Sequence, residues 1–181
     1  MSFFYDYYHN TLRDQLLKEL GLKNVMQAPR LEKIVLNMGV GRAAQDSKAL
    51  ELAQQDLTSI AGQYALVRKA KKSVAGFKIR AGMGVGVSVT LRRKRMYDFL
   101  ERLIVIALPQ VRNYQGASIK SFDGAGNYAL GIPEHTVFPE VDYNKASYAV
   151  GLDIAFVTNT MDNKAAFLLL KGFGIPFRGT L

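Results

Sequence analysis

The chain has 181 residues, 24 Lys and Arg against 15 Asp and Glu, a formal net charge of +9 and 49% apolar side chains. That length and apolar fraction suit one domain, residues 1–181, with a buried core, and they exclude disorder as the default. There is no cysteine, which excludes disulfides, thiolate metal sites and cysteine nucleophiles and suits a reducing compartment.

The chain opens with an amphipathic helix. Phe4, Tyr8, Leu12, Leu16 and Leu20 recur at every fourth position, and Gly21 is placed to stop the helix. Past Pro29, Leu31–Met38 alternates as a strand, with Ile34, Leu36 and Met38 on one face and Lys33, Val35 and Asn37 on the other. Gly39-Val40-Gly41 breaks it. A second helix carries Leu50, Ala53, Leu57 and Ile60 up to Gly62, and a short strand is expected at Gln63–Val67.

A basic loop over 68–83 then leads to a strand with divided faces, Val85, Val87, Val89 and Leu91 against Gly84, Gly86, Ser88, Thr90 and Arg92. The spacing of Met96, Phe99, Leu103 and Ile106 predicts a third helix over Arg93–Leu108, closed by Pro109. Ile119–Phe122 and Asn127–Ile132 flank the turn Asp123-Gly124-Ala125-Gly126 as a hairpin, and Pro133–Asp142 is irregular. The last strand is Tyr148–Val157, and Thr160 is placed to cap a final helix over Asn163–Lys171. Strands with one apolar face predict an α+β domain: a largely antiparallel sheet of about five strands, helices on one face and the other face open.

The charge is not spread along this pattern. Arg68, Lys69, Lys71, Lys72, Lys78, Arg80, Arg92, Arg93, Lys94 and Arg95 all fall between Leu57 and Tyr97, a segment without a single Asp or Glu. The remainder of the chain is close to neutral, so this one segment carries the net charge. An ordinary solvated face mixes both signs; a segment that excludes acids reads as a docking surface for a polyanion.

A membrane is the weaker partner. No apolar run approaches the ~18 residues of a span, and the glycines at 76, 82 and 84 disfavour the amphipathic helix that surface binding needs. Met1–Asp6 lacks the marks of a secretory signal, so a cytoplasmic setting is expected. Nucleic acid is the expected partner. Phe77 in the loop stacks on a base or anchors the loop, and both readings stay open at this point.

Enzyme signals are weak. Gly39-Val40-Gly41-Arg42-Ala43-Ala44 matches a dinucleotide fingerprint, but the acid that should follow on the next strand falls in the acid-free segment. Gly82-Met83-Gly84-Val85-Gly86 lacks the Gly-Lys-Ser/Thr ending of a phosphate loop. With His9 and His135 alone and no clustered carboxylates, no metal site, catalytic residue or cofactor is expected, and packing or surface roles suit both histidines. The remaining rivals are a cofactor-binding enzyme and a free-standing RNA chaperone.

The run Arg30-Leu31-Glu32-Lys33-Ile34-Val35-Leu36-Asn37-Met38-Gly39-Val40-Gly41 resembles the first strand of the bacterial large-subunit ribosomal protein five family. Ile60–Gln63, Lys72–Arg80, Val89–Arg92, Phe138–Glu140 and Phe173–Arg178 resemble its other signatures, so the likeness covers essentially the whole chain.

The resemblance implies a ribosomal protein of the central protuberance that binds 5S rRNA through its open sheet face, with no enzymatic activity. Asn37, Gln63, Thr90 and Arg92 match the family positions; Lys33 and Ser88 share that face, and Arg93 and Arg95 open the following helix, where they would serve phosphates. The resemblance also implies that the loop reaches the P-site tRNA with Lys71, Lys72, Ser73, Phe77, Lys78, Arg80 and Met83; its mutually repelling cations and its glycines predict that it is mobile without tRNA. A third surface, with Arg112, Asn113, Tyr114, Glu134, Glu140 and Tyr143, would bridge to small-subunit ribosomal protein thirteen. 23S rRNA and the other 5S-binding large-subunit proteins complete the implied partners. Departures from the family pattern at Arg68, Asn113-Tyr114-Gln115, Ala125 and His135 fall mostly on the bridging region and leave the RNA-binding core unchanged.

Overall fold

A computed structural model describes residues 3–41, 47–112, 114–141 and 150–179. Helix α1 covers residues 3–19, α-helical at Phe3–Tyr7 and Arg13–Glu19 with a wider π-type stretch at Tyr8–Leu12 between them. The unbroken four-residue period explains that stretch. A regular helix of 3.6 residues per turn would carry every fourth residue steadily off its face, whereas i→i+5 bonding widens the turn and keeps Phe4, Tyr8, Leu12 and Leu16 on one buried stripe.

Strand β1 (Leu31–Gly39) buries Ile34, Leu36 and Met38 and exposes Asn37, the expected division. The Gly41–Ala44 part of the fingerprint extends beyond the described residues. Helix α2 (Ser47–Ala61) buries Ala53, Leu57 and Ile60 and ends where Gly62 takes φ 61°. Strand β2 (Leu66–Lys69) starts three residues later than expected. Its approach is tied to α2 instead: Gln54 Nε2 donates to the Ala65 carbonyl at 2.7 Å and Ala65 N–H donates to Thr58 Oγ1 at 3.1 Å.

Strand β3 (Gly84–Leu91) follows, then helix α3 over residues 93–110. This helix also holds a π-type stretch, Leu103–Ala107, which rotates Ala107 rather than Ile106 into the core and carries the helix through Pro109 to Gln110. Ile119–Ser121 is a 3-10 turn, not the expected strand. A two-residue strand β4 (Ala117–Ser118) lies just before it and pairs in parallel with β7 (Phe177–Arg178).

The turn before strand β5 (Tyr128–Ile132) is closed by Asp123, whose carboxylate accepts from the Ala125 and Asn127 N–H groups at 2.8 and 3.0 Å and from Asn127 Nδ2 at 2.7 Å. These bonds, the Asn127 side chain foremost, hold the Asp123 pKa below its ordinary value. Between β5 and β6 (Leu152–Thr158) the described backbone is irregular apart from a 3-10 turn at His135–Val137; the start of the expected last strand, at Tyr148, lies outside the described residues. Helix α4 (Asn163–Gly172) is capped by Asp162, which accepts from Lys164 N–H at 3.0 Å, while Thr160 supports the cap one step back by accepting from Asp162 N–H.

Five strands form one antiparallel sheet in the order β2-β3-β1-β6-β5, in an α+β fold with packed helices. Among the described residues it contains none of the parallel crossover units that a dinucleotide fold requires. The chain divides into two compact units, Met1–Ile34, Arg92–Leu130 and Ala155–Leu181 in the first and Val35–Leu91 and Gly131–Ile154 in the second.

In the first unit Phe4 and Tyr8 pack on Phe173, with ring centroids 5.7 and 6.1 Å apart, and Gly172 leaves room for Leu12. In the second, Leu36, Met38, Leu57, Ile60, Val87, Val89 and Ile154 are buried. His135 is buried there too. Its Nδ1 lies 3.2 Å from the Val150 amide nitrogen and 3.1 Å from the Val150 carbonyl, and its Nε2 lies 3.2 Å from the Asp56 carboxylate. The packing role expected for this histidine is the one it has.

Candidate nucleic-acid interface

Strands β2 and β3 pair antiparallel, Leu66 opposite Ser88 and Arg68 opposite Gly86, with a bulge between Arg68 and Lys69. The pairing does not stop at the strand ends. Ala70 N–H donates to the Met83 carbonyl at 2.8 Å, Gly82 N–H donates to the Ala70 carbonyl at 2.9 Å, and Val74 and Ile79 exchange two backbone bonds at 2.9 and 3.2 Å. The basic loop is therefore a hairpin extension, closed by a 3-10 turn at Ala75–Phe77 and by Lys78 in a left-handed conformation.

Two of the residues expected to touch tRNA support this hairpin. Ser73 Oγ accepts from Ala81 N–H at 2.9 Å, and Met83 contributes its carbonyl to Ala70 and its thioether to Arg80 N–H. Lys71, Lys72, Lys78 and Arg80 are exposed, and Phe77 stands 74% exposed in the closing turn. An aromatic ring anchoring the loop would be covered by it; this one faces solvent.

On the sheet, Asn37 is exposed, and Lys33, Gln63 and Thr90 are half-buried. Gln63 Nε2 reaches the Thr90 carbonyl at 3.4 Å, so these two residues share a neighbourhood although 27 positions separate them. Ser88 is 5% exposed and accepts a hydrogen bond from Arg68 Nε, so Arg68, rather than the serine hydroxyl, faces outward there.

The glycines of this strand serve the fold itself, where the sequence suggested room for an outside partner. A Cβ on Gly86 would stand 2.7 Å from the Met38 carbonyl, and one on Gly84 would meet the Leu50 side chain. Arg92, extended, and Arg93, Lys94 and Arg95 at the start of α3 are all exposed. No acid occupies the first turn of α3, so three cations stand at the positive end of its dipole, where an anion is favoured.

Of the residues expected at the inter-subunit bridge, Arg112 is exposed and Tyr114 half-buried in the first unit; Glu134 is exposed and Glu140 half-buried in the second. Burial raises the Tyr114 pKa. Asn113 and Tyr143 lie outside the described residues. Arg30 and Tyr5, which the sequence did not mark, and His9, expected to pack or lie at the surface, line a cleft with Arg92, Arg93 and Lys94. The Arg after Pro29 was the available signal, but its distance along the chain from the acid-free segment hid it.

Two family models match the chain. One, described as ribosomal protein L5, covers residues 24–80, and the other, described as the C-terminus of the same ribosomal protein family, covers residues 84–177. The chain belongs to the ribosomal protein L5 family. Proteins named large ribosomal subunit protein uL5 are similar over nearly their whole length. The one from Dichelobacter nodosus is 53% identical, with 96% of this chain and 97% of the relative aligned. That from Buchnera aphidicola subsp. Schizaphis graminum is 53% identical over 98% and 99%, and that from a Psychrobacter strain 54% identical over 94% and 96%.

The chain is accordingly a ribosomal protein that works in translation, with binding rather than catalysis as its task. Among the described residues no helix is long and apolar enough to cross a membrane.

Proposed function

We propose that this protein belongs to the large ribosomal subunit, binds 5S rRNA in the central protuberance, and reaches the P-site tRNA through the basic hairpin. One observation carries the reading: all ten basic side chains of the acid-free segment are exposed, some along the hairpin and some at the start of α3. Cations in that state neutralise phosphates and release counterions, which makes binding strong and salt-dependent. Asn37, Gln63 and Thr90 add short-range polar contacts to sugars, base edges or loop shape.

23S rRNA and the other 5S-binding proteins of the subunit are the expected neighbours. The surface with Arg112, Asn113, Tyr114, Glu134, Glu140 and Tyr143 is the expected bridge to small-subunit ribosomal protein thirteen. Family membership supports this reading, because the relatives are named as proteins of the large subunit.

The test is selection. The purified chain is mixed with total cellular RNA and the bound fraction sequenced at several salt concentrations. It is expected to retain 5S rRNA, with log affinity falling against log salt by about 0.7 for each single-stranded phosphate neutralised and about 0.9 in duplex. Equal binding of many RNAs would instead describe a chaperone, and a flat salt response would remove the electrostatic argument.

A further inference from the structure

A cleft of about 840 Å³ opens in the first unit, lined by residues of α1, the start of β1 and the start of α3. Its size lies within the range of about 300–1,000 Å³ that suits small ligands. Two kinds of side chain meet in it. Arg30, Arg92, Arg93 and Lys94 are exposed cations, and among the described lining residues Glu32 is the one carboxylate.

The others are aromatic. Tyr5 remains 40% exposed, with its ring centroid 4.5 Å from that of His9 and 5.6 Å, edge-on, from that of Tyr97. Tyr8 and Tyr97 form the floor. Tyr8 turns inward and donates its hydroxyl to the Pro29 carbonyl at 3.0 Å. Burial, followed by the neighbouring phenols of Tyr8 and Tyr5, pushes the Tyr97 pKa up to about 12 against the opposing pull of Arg30, so this floor is uncharged at neutral pH.

Arg30 is fixed at its backbone. Its N–H donates to Asn159 Oδ1 at 2.7 Å and its carbonyl accepts from Asn159 N–H at 3.2 Å, which sets where its guanidinium starts. Arg93 holds φ 52°, in the left-handed region that favours glycine.

Half-exposed rings beside exposed guanidinium groups match the chemistry of an unstacked nucleotide. Such a ligand offers a flat π-face to the rings and an anionic phosphate to the cations. We propose that this cleft takes one unpaired nucleotide of the bound RNA, its base against Tyr5 and His9 and its phosphates on Arg30, Arg92 and Arg93. An acidic peptide would use the cations and leave the rings idle.

The inference rests on the RNA-binding reading above but does not need 5S rRNA to be the RNA. It is tested on the full chain with a single-stranded RNA decamer, the same decamer paired to its complement, and 5S rRNA carrying photoreactive 4-thiouridine. The Tyr5→Leu, His9→Leu double variant is expected to lose about tenfold or more of its affinity for the single strand and little for the duplex. Met161→Ala, at an exposed side chain outside the cleft, is expected to leave decamer binding unchanged. Crosslinks from 5S rRNA are expected on Tyr5 or His9.

If the double variant binds the decamer like the parent chain, or if polyglutamate competes equally well against both, the cleft is a charge patch and the proposal is overturned. Should the double variant melt early, Tyr5→Leu alone, at a ring 40% exposed, repeats the comparison of single strand against duplex. A chain that ignores 5S rRNA yet shows ring-dependent decamer binding would sink the 5S reading and leave this one standing.

Discussion

Lys78 and Arg93 are the non-glycine residues with positive φ among the described residues, at 55° and 52°. Each is a cation in a stretch assigned to RNA, one in the turn of the hairpin and one at the mouth of α3. Glycine would hold these conformations at about 1–2 kcal/mol less local cost. Lys78→Gly is expected to leave the denaturant midpoint unchanged or slightly raised, by under about 1 kcal/mol, because relief of the left-handed strain offsets the added chain entropy. The same variant is expected to weaken tRNA crosslinking to the hairpin in assembled ribosomes. Marked destabilisation with unaltered crosslinking would mean that Lys78 is there for the turn. Ser88 makes the complementary point: its hydroxyl read as a contact in the sequence, and folding gives it to Arg68 instead.

At the scale of elements, periodicity carried most of the information and missed where two backbones approach closely. The period of four in Phe4, Tyr8, Leu12 and Leu16 held both the helix and its widened turn, since a regular helix would have let the stripe drift. The corresponding turn in α3 left no such trace, and the buried residue there is Ala107, too small to signal a core position beside Ile106. Gly86 was legible as a glycine in a strand, but only the packed sheet identifies its neighbour as the Met38 carbonyl, at 2.7 Å from any added Cβ. Gly86→Ala is therefore expected to destabilise the chain by roughly 1–3 kcal/mol, the usual cost of overpacking, measured as a lower midpoint with unchanged denaturant slope. A neutral result would mean that β1 and β3 separate at no cost.

On the scale of the whole molecule, the acid-free segment is one block in the sequence and two structures in the fold. Lys71, Lys72, Lys78 and Arg80 ride on a hairpin that supplies its own backbone hydrogen bonds, so changes to their side chains leave the sheet's partners in place. Thr90 and Arg92 belong to β3 and its exit, with Gln63 bonded to the Thr90 carbonyl. That separation yields a prediction with opposite outcomes for two variants. Thr90→Val combined with Arg92→Ala is expected to lower 5S rRNA affinity by about tenfold or more, as one charged and one neutral contact are lost. Replacing Lys71, Lys72 and Lys78 with Ala is expected to keep 5S binding within a few-fold at moderate salt and to weaken contact with P-site tRNA in the ribosome. Filter binding to 5S rRNA and tRNA footprinting on reconstituted subunits measure the two arms. If the hairpin variant alone abolished 5S binding, the hairpin cations would be the primary 5S contact and the division of tasks would be wrong. If the sheet variant retained full affinity, neither Thr90 nor Arg92 would be a 5S contact, and Arg92 would also fall out of the cleft it lines with Tyr5 and Arg30.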